Sequence, residues 1–220
     1  TVVTLDSLGA DAIVLRHPAA GAAALASRHA SAPVINAGDG CGQHPTQALL
    51  DLYALSEALG GLEGLQDRRV AIIGDVLHSR VARSVIPAFL QAGMEVALVA
   101  PRTLLPPDEG ALDLPVLTSV DEALEWGADV LYMLRLQKER MTGARIPSVA
   151  EYASFYGVSR CHLERGALVM HPGPVNRGVE ISGDVVLDAS SLIPDQVAAG
   201  VCVRSAVLAL TTGAAQRVAA

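Results

Sequence analysis

Short apolar runs separated by longer amphipathic stretches recur along the chain. The runs Asp11–Leu15, Val34–Ala37, Arg69–Ile73, Glu95–Val99, Asp129–Met133 and Leu168–Met170 are β-branched or Leu-rich, and each ends in polar or turn residues. They predict strands. Between them, Pro45 to Leu59 carries apolar residues at Leu49, Leu50, Leu52, Tyr53, Leu55 and Leu59, and Pro45 suits the first helical position. Ser79 to Ala92 and Pro194 to Ala214 also read as helices. The alternation predicts an α/β fold of two doubly wound domains with mainly parallel sheets. The first block, to about Asn36, holds only two predicted strands, too few for an independent sheet, so the first domain is expected to be incomplete in this chain. A boundary is expected within the Pro45–Leu59 helix or the Gly-rich loop Gly60 to Asp67, dividing the chain into 1–50, 51–190 and a closing helix in 191–220.

Composition narrows the class. Aromatic residues make up 3% of the chain and the net charge is −7, which argues against a nucleic-acid partner that uses stacking platforms. The longest apolar runs fall well short of the roughly 18 residues that suggest a membrane span. No basic stretch precedes an apolar one at the N-terminus. A cytoplasmic protein with no membrane partner is expected. Cys41, Cys161 and Cys202 are odd in number and widely spaced, as suits free thiols in a reducing compartment rather than a metal site. Lys138 is the only Lys; the other basic residues are Arg, the better side chain for bidentate carboxylate and phosphate binding.

In open α/β sheets ligands bind at the carboxyl ends of strands. The clusters to weigh are therefore Arg16-His17, Asp39 to Gln47, Asp75 to Arg80, Arg135 to Lys138 and His171 to Arg177. Gly74 follows a strand, but Gly74-Asp75-Val76-Leu77-His78-Ser79 lacks the further glycines of a dinucleotide site. No Walker sequence, zinc helix or nucleophile elbow occurs. No cofactor and no metal are expected. His44, before the helix-opening Pro45, stands where free N–H groups favour oxyanions, or else it caps the helix. Gln47, one turn on, can offer both a donor and an acceptor to a planar amide. In His171-Pro172-Gly173-Pro174 the prolines stiffen a loop whose carbonyls can be held as acceptors.

Six segments, in order, carry a resemblance. Ala12-Ile13-Val14-Leu15-Arg16-His17-Pro18, His44-Pro45-Thr46-Gln47, Gly74-Asp75-x-x-His78-Ser79-Arg80, Arg135-x-Gln137-x-Glu139-Arg140, His171-Pro172-Gly173-Pro174 and Gln196-x-x-x-Gly200-Val201-x-Val203-Arg204 resemble aspartate carbamoyltransferase catalytic chains, in the aspartate/ornithine carbamoyltransferase superfamily. The likeness spans essentially the whole chain. It implies a carbamoyl phosphate domain ending near residue 50, an aspartate domain over 51–190, and a last helix returning to the first domain. It implies transfer of the carbamoyl group of carbamoyl phosphate to L-aspartate, in de novo pyrimidine biosynthesis. By this resemblance Arg16 binds carbamoyl phosphate through its phosphate oxygens, His44 donates to the carbamoyl oxygen and Gln47 holds the carbamoyl amide. Arg80 and Arg135 bind the carboxylates of aspartate with help from Gln137, and the carbonyls of Pro172 and Gly173 accept from substrate N–H groups. His17 and His78 are expected to be structural and His171 to orient the proline loop. A homotrimer joined through the first domain is implied, with regulatory or dihydroorotase-like chains as further partners.

The sequence departs from the family in one respect. The family's Ser-Thr-Arg-Thr-Arg phosphate motif and its mobile Lys loop have no counterpart among these 220 residues. About a third of the family's chain is therefore expected to be missing, and these 220 residues are expected to be inactive alone. Two alternatives stay open. Ornithine carbamoyltransferase shares His-Pro-Thr-Gln, but it calls for a Cys in the loop that here reads His171 to Pro174. A non-catalytic truncated homologue acting as a binding or regulatory subunit is the other.

Overall fold

A computed structural model describes residues 1–107, 113–137, 146 and 148–214. In chain order the elements are α1 (Val2–Ser7), β1 (Ile13–His17), α2 (Ala22–Ser27), β2 (Val34–Asp39), α3 (Pro45–Ala58), β3 (Arg69–Ile73), α4 (Ala82–Gln91), β4 (Glu95–Val99), β5 (Val116–Leu117), α5 (Val120–Glu125), β6 (Val130–Met133), α6 (Val149–Tyr156), α7 (Arg160–Leu163), β7 (Leu168–Met170) and α8 (Ile193–Thr211).

All six predicted strands form, three with the expected bounds and three with ends shifted by one or two residues. Five strands make one parallel sheet in the order β5-β4-β3-β6-β7. β3 is central, pairing in parallel with β4 on one side and β6 on the other. The chain therefore winds one way from β3 to β5 and the other way from β6 to β7. The crevice at such a reversal is where ligands of open α/β sheets bind. Both faces are covered, which explains the near-continuous apolar runs. Alternate residues divide between them: Ile72, Leu98 and Tyr132 face one cluster with Phe89, while Ile73, Val99 and Leu131 face the other with Val120 and Val169.

β1 and β2 form a separate two-stranded parallel sheet whose register slips between Leu15 and His17. Arg16 sits at that irregularity, the kind of place where a strand re-aims a side chain. α8 lies on α3, with Leu50 and Ala54 packed against Ala199 and Val203. By length and composition α8 is apolar enough to cross a membrane, which the apolar runs alone did not suggest. Two of its polar residues are engaged within the protein: Gln196 is buried in a hydrogen-bond network and Arg204 lines a cavity.

Some expectations need correction. The stretch from Ser79 becomes helical only at Ala82, because Ser79 Oγ accepts from the Ala82 N–H at 3.1 Å and residues 79–81 serve as the entry turn. β5 and the short helices α1, α2, α5, α6 and α7 were not anticipated; two to eight residues carry too little periodicity to register. Lys138, Glu139 and Arg140 lie outside the described residues.

Candidate functional site

At the carboxyl ends of β3, β6 and β7, facing the start of α3, lies a cavity of about 320 Å³. Arg16, His44, Gln47, Arg80, Arg135, Gln137, Pro172 and Gly173 all line it, together with Ser79, Val81, Pro174 and Arg204. All eight residues singled out in the sequence thus meet in one place. Four guanidinium groups converge there in a chain of net charge −7. Such a concentration of fixed planar cations suits carboxylate and phosphate groups.

The α3 end of the cavity is built from backbone. His44 occupies the N-cap of α3, but its side chain makes no capping hydrogen bond, so the capping alternative is not what the ring does. Its N–H donates to Ser84 Oγ at 2.8 Å, and that hydroxyl donates to the Arg80 carbonyl at 3.2 Å, tying α3 to the entry of α4. The imidazole is free to face the cavity, with Thr46 Oγ1 3.4 Å from Nδ1. Burial, reinforced by Arg80, Arg16 and Arg204, pushes the His44 pKa down to about 4. The ring is therefore neutral near pH 7, able to donate from one nitrogen without bringing a charge.

Arg80 reaches the cavity past β2. Gly38 has φ +110°, which favours glycine, and a Cβ there would stand 2.6 Å from Arg80 Nε and displace the guanidinium. Asp39 closes this corner. Burial acts to raise its pKa, yet hydrogen bonds from the Gln43 N–H, the Asn36 amide and the Gly21 N–H leave it lowered.

The segment after β6 is held by two buried carboxylates. Asp75 accepts from the Gln137 N–H at 3.2 Å and from His78 Nδ1 at 2.8 Å; Glu180 accepts from the Leu136 N–H at 2.8 Å and from Asn176. Arg135 and Gln137 thus project from a clamped backbone. Gly74 allows the close approach beneath: a Cβ there would lie 2.9 Å from both the Leu134 carbonyl and Tyr152 Oη. His171 organises the proline loop as expected. Its Nδ1 accepts from the Gly173 N–H at 2.8 Å and its own N–H donates to Gln196 Oε1 at 2.9 Å. Burial, with Arg135 adding to it, lowers its pKa to about 4. His78 is bound to Asp75, and His17 Nδ1 accepts from the Ala19 N–H at 3.0 Å, so neither lines the cavity.

Of the four further lining residues, two carry polar side chains without an assigned role in the sequence reading. Arg204 stood inside a matched segment, but only the packing of α8 on α3 brings it to the cavity. Ser79 flanks Arg80 and was readable from its place after β3. Among the described residues no cluster of His, Cys, Asp and Glu could hold a metal ion.

A doubly wound sheet with four arginines, a neutral imidazole and side-chain amides at its reversal defines an α/β protein built to bind small, multiply charged anions. Comparison with known proteins makes this specific. Residues 66–211 match the model of the Asp/Orn binding domain of aspartate/ornithine carbamoyltransferase, and residues 1–57 match that of its carbamoyl-P binding domain. The chain belongs to the aspartate/ornithine carbamoyltransferase family. It is 78% identical over 220 residues to the aspartate carbamoyltransferase catalytic subunit of Rubrobacter xylanophilus, covering 100% of this chain and 72% of that protein. It is 52% identical over 216 residues to that of Pelotomaculum thermopropionicum, covering 97% and 69%. Among solved structures, the Trypanosoma cruzi aspartate transcarbamoylase in complex with N-(phosphonacetyl)-L-aspartic acid superposes with a TM-score of 0.81 at 29% identity, covering 96% of this chain and 68% of that one.

Proposed function

We propose that this chain is the catalytic chain of an aspartate carbamoyltransferase, joining carbamoyl phosphate to L-aspartate to give N-carbamoyl-L-aspartate and phosphate. The observation that carries the reading is the convergence of Arg16, Arg80, Arg135 and Arg204 with His44, Gln47 and Gln137 around one cavity. High identity to aspartate carbamoyltransferase catalytic subunits supports the choice of acceptor. So does the loop sequence: Pro172 follows His171, with no Cys in His171 to Pro174 to meet an ornithine side chain.

In this mechanism Arg16 holds the phosphate end of carbamoyl phosphate. A neutral His44 donates to the carbamoyl oxygen and Gln47 takes the carbamoyl amide. Arg80 and Arg135 grip the two carboxylates of aspartate, Gln137 assists, and the carbonyls of Pro172 and Gly173 receive the substrate N–H groups. The aspartate amine attacks the carbamoyl carbon, forming the new C–N bond. Charge builds on the former carbonyl oxygen, where one fixed donor is worth about 3–4 kcal/mol. The C–O bond to phosphate then breaks, and the departing phosphate accepts the amine proton. Holding both reactants in line contributes on the order of 7–11 kcal/mol. The reading extends to a first domain at 1–50, an aspartate domain at 51–190 and a returning helix at 191–220. It also extends to a cytoplasmic homotrimer open to regulatory or dihydroorotase-like chains, and to a place in pyrimidine synthesis.

Titration calorimetry of the protein from its natural source with N-(phosphonacetyl)-L-aspartate tests the site. Binding that Arg135→Ala weakens by about 10- to 100-fold is expected for loss of a charged hydrogen-bonding partner. Equal binding by the wild-type protein and the variant would contradict the assignment of Arg135.

A further inference from the structure

Asp51 lies one turn beyond Gln47 on α3 and has no exposed surface. Its Oδ1 accepts from Gln47 Nε2 at 2.9 Å and from Gln196 Nε2 at 2.6 Å, and its Oδ2 accepts from Tyr132 Oη at 2.5 Å. Three donors thus reach one carboxylate from α3, α8 and β6. An ionised carboxylate can only accept, whereas a side-chain amide has one donating end and one accepting end. Turning either glutamine over would set oxygen against oxygen. Asp51 therefore decides which way both amides point.

The consequences differ for the two glutamines. Gln196 is left with Oε1 free to accept from the His171 N–H at 2.9 Å, and His171 Nδ1 in turn takes the Gly173 N–H at 2.8 Å. Gln47 lines the cavity, so with Nε2 committed to Asp51 it offers Oε1, an acceptor suited to an NH2 group. We propose that Asp51 is a positioning residue that sets both amides at once, so that Gln47 presents an acceptor to the carbamoyl NH2 while Gln196 holds the Pro172–Gly173 loop against the acceptor substrate. One buried carboxylate then links the two substrate subsites without touching either substrate. The proposal rests on the carbamoyltransferase reading for the identity of the ligands, but not for the geometry. Burial pushes the Asp51 pKa up to about 6, opposed by its three donors and by Arg204, so near pH 7 the group is the acceptor that this role requires.

Steady-state kinetics on the protein from its natural source, beside Asp51→Asn, Asp51→Leu and Gln196→Leu variants, tests it. An Asn can keep its oxygen toward both glutamines and turn its NH2 to Tyr132 Oη, so Asp51→Asn should keep both KM values within about 3-fold. Asp51→Leu should raise both KM values by about 10-fold or more, the equivalent of one lost hydrogen bond at each subsite. Gln196→Leu, which releases only the loop, should raise the KM for aspartate by about 10-fold and leave that for carbamoyl phosphate unchanged. If Asp51→Leu does not fold, the contrast between Asp51→Asn and Gln196→Leu carries the test. A lower melting temperature with unchanged KM values in Gln196→Leu, or an Asn variant as impaired as the Leu variant, would overturn the proposal. Should the wild type transfer no carbamoyl group, the function fails but the positioning does not. The side-chain NH2 resonances of Gln47 and Gln196 in the 220-residue chain then decide, with slow hydrogen exchange in wild type and Asp51→Asn expected and fast exchange in wild type contradicting it.

Discussion

At the scale of single residues, the site depends on side chains whose charge state is set by where they are buried. His44 and His171 stay neutral in the folded protein down to about pH 4, whereas in the unfolded chain they take up protons near 6.5. Their contribution to stability is whole above pH 6.5 and is lost as pH falls toward 4. Asp51 has the opposite sign. Held at about 6 against an ordinary 3.8, it binds a proton in the folded state first, and its contribution grows as pH falls through that window. Two histidines outweigh one aspartate, so the melting temperature should fall between pH 6.5 and 4, and Asp51→Asn should steepen the fall; a flat profile in scanning calorimetry would count against these assignments. For catalysis, His44→Ala should lower kcat by about 10²- to 10³-fold, the usual cost of one donor to a developing oxyanion, read in a carbamoyl-aspartate assay. His44, Gln47 and Arg135 were legible in the sequence because they follow strands or open a helix. Asp51 was not: a carboxylate amid Leu50 and Leu52 shows its role only when Tyr132 and Gln196 arrive from distant parts of the chain.

At the scale of elements, the strands were legible because a sheet buried on both faces leaves a nearly unbroken apolar run. β5, only two residues long, leaves no such mark, and the entry turn at Ser79 to Val81 looks helical until Ser79 Oγ is seen to accept from the Ala82 N–H. Gly74 reads at first as a failed nucleotide fingerprint. In the fold it lets β3 pass beneath the Leu134 carbonyl with φ +123°. Gly74→Ala should therefore destabilise the chain by about 1–3 kcal/mol, measured by urea unfolding, because both the backbone conformation and the contact are unfavourable for a Cβ. An unchanged unfolding midpoint would show that the segment after β6 can move aside, which its hydrogen bonds to Asp75 and Glu180 oppose.

For the whole molecule, an acidic chain gathers four arginines where two sheets and the packing of α8 on α3 meet around one cavity. The presence of a site was legible from the order of its six segments, but Arg204 could be added only once α8 was seen lying along α3. Arginine forks at Arg80 and Arg135 fit an acceptor with two carboxylates and disfavour one ending in an ammonium group. The most direct test is carbamoyl transfer from carbamoyl phosphate by the protein purified from its natural source, with L-aspartate and L-ornithine offered separately. Product from aspartate and none above background from ornithine is the predicted result; transfer to ornithine, or to neither amino acid, would contradict the account.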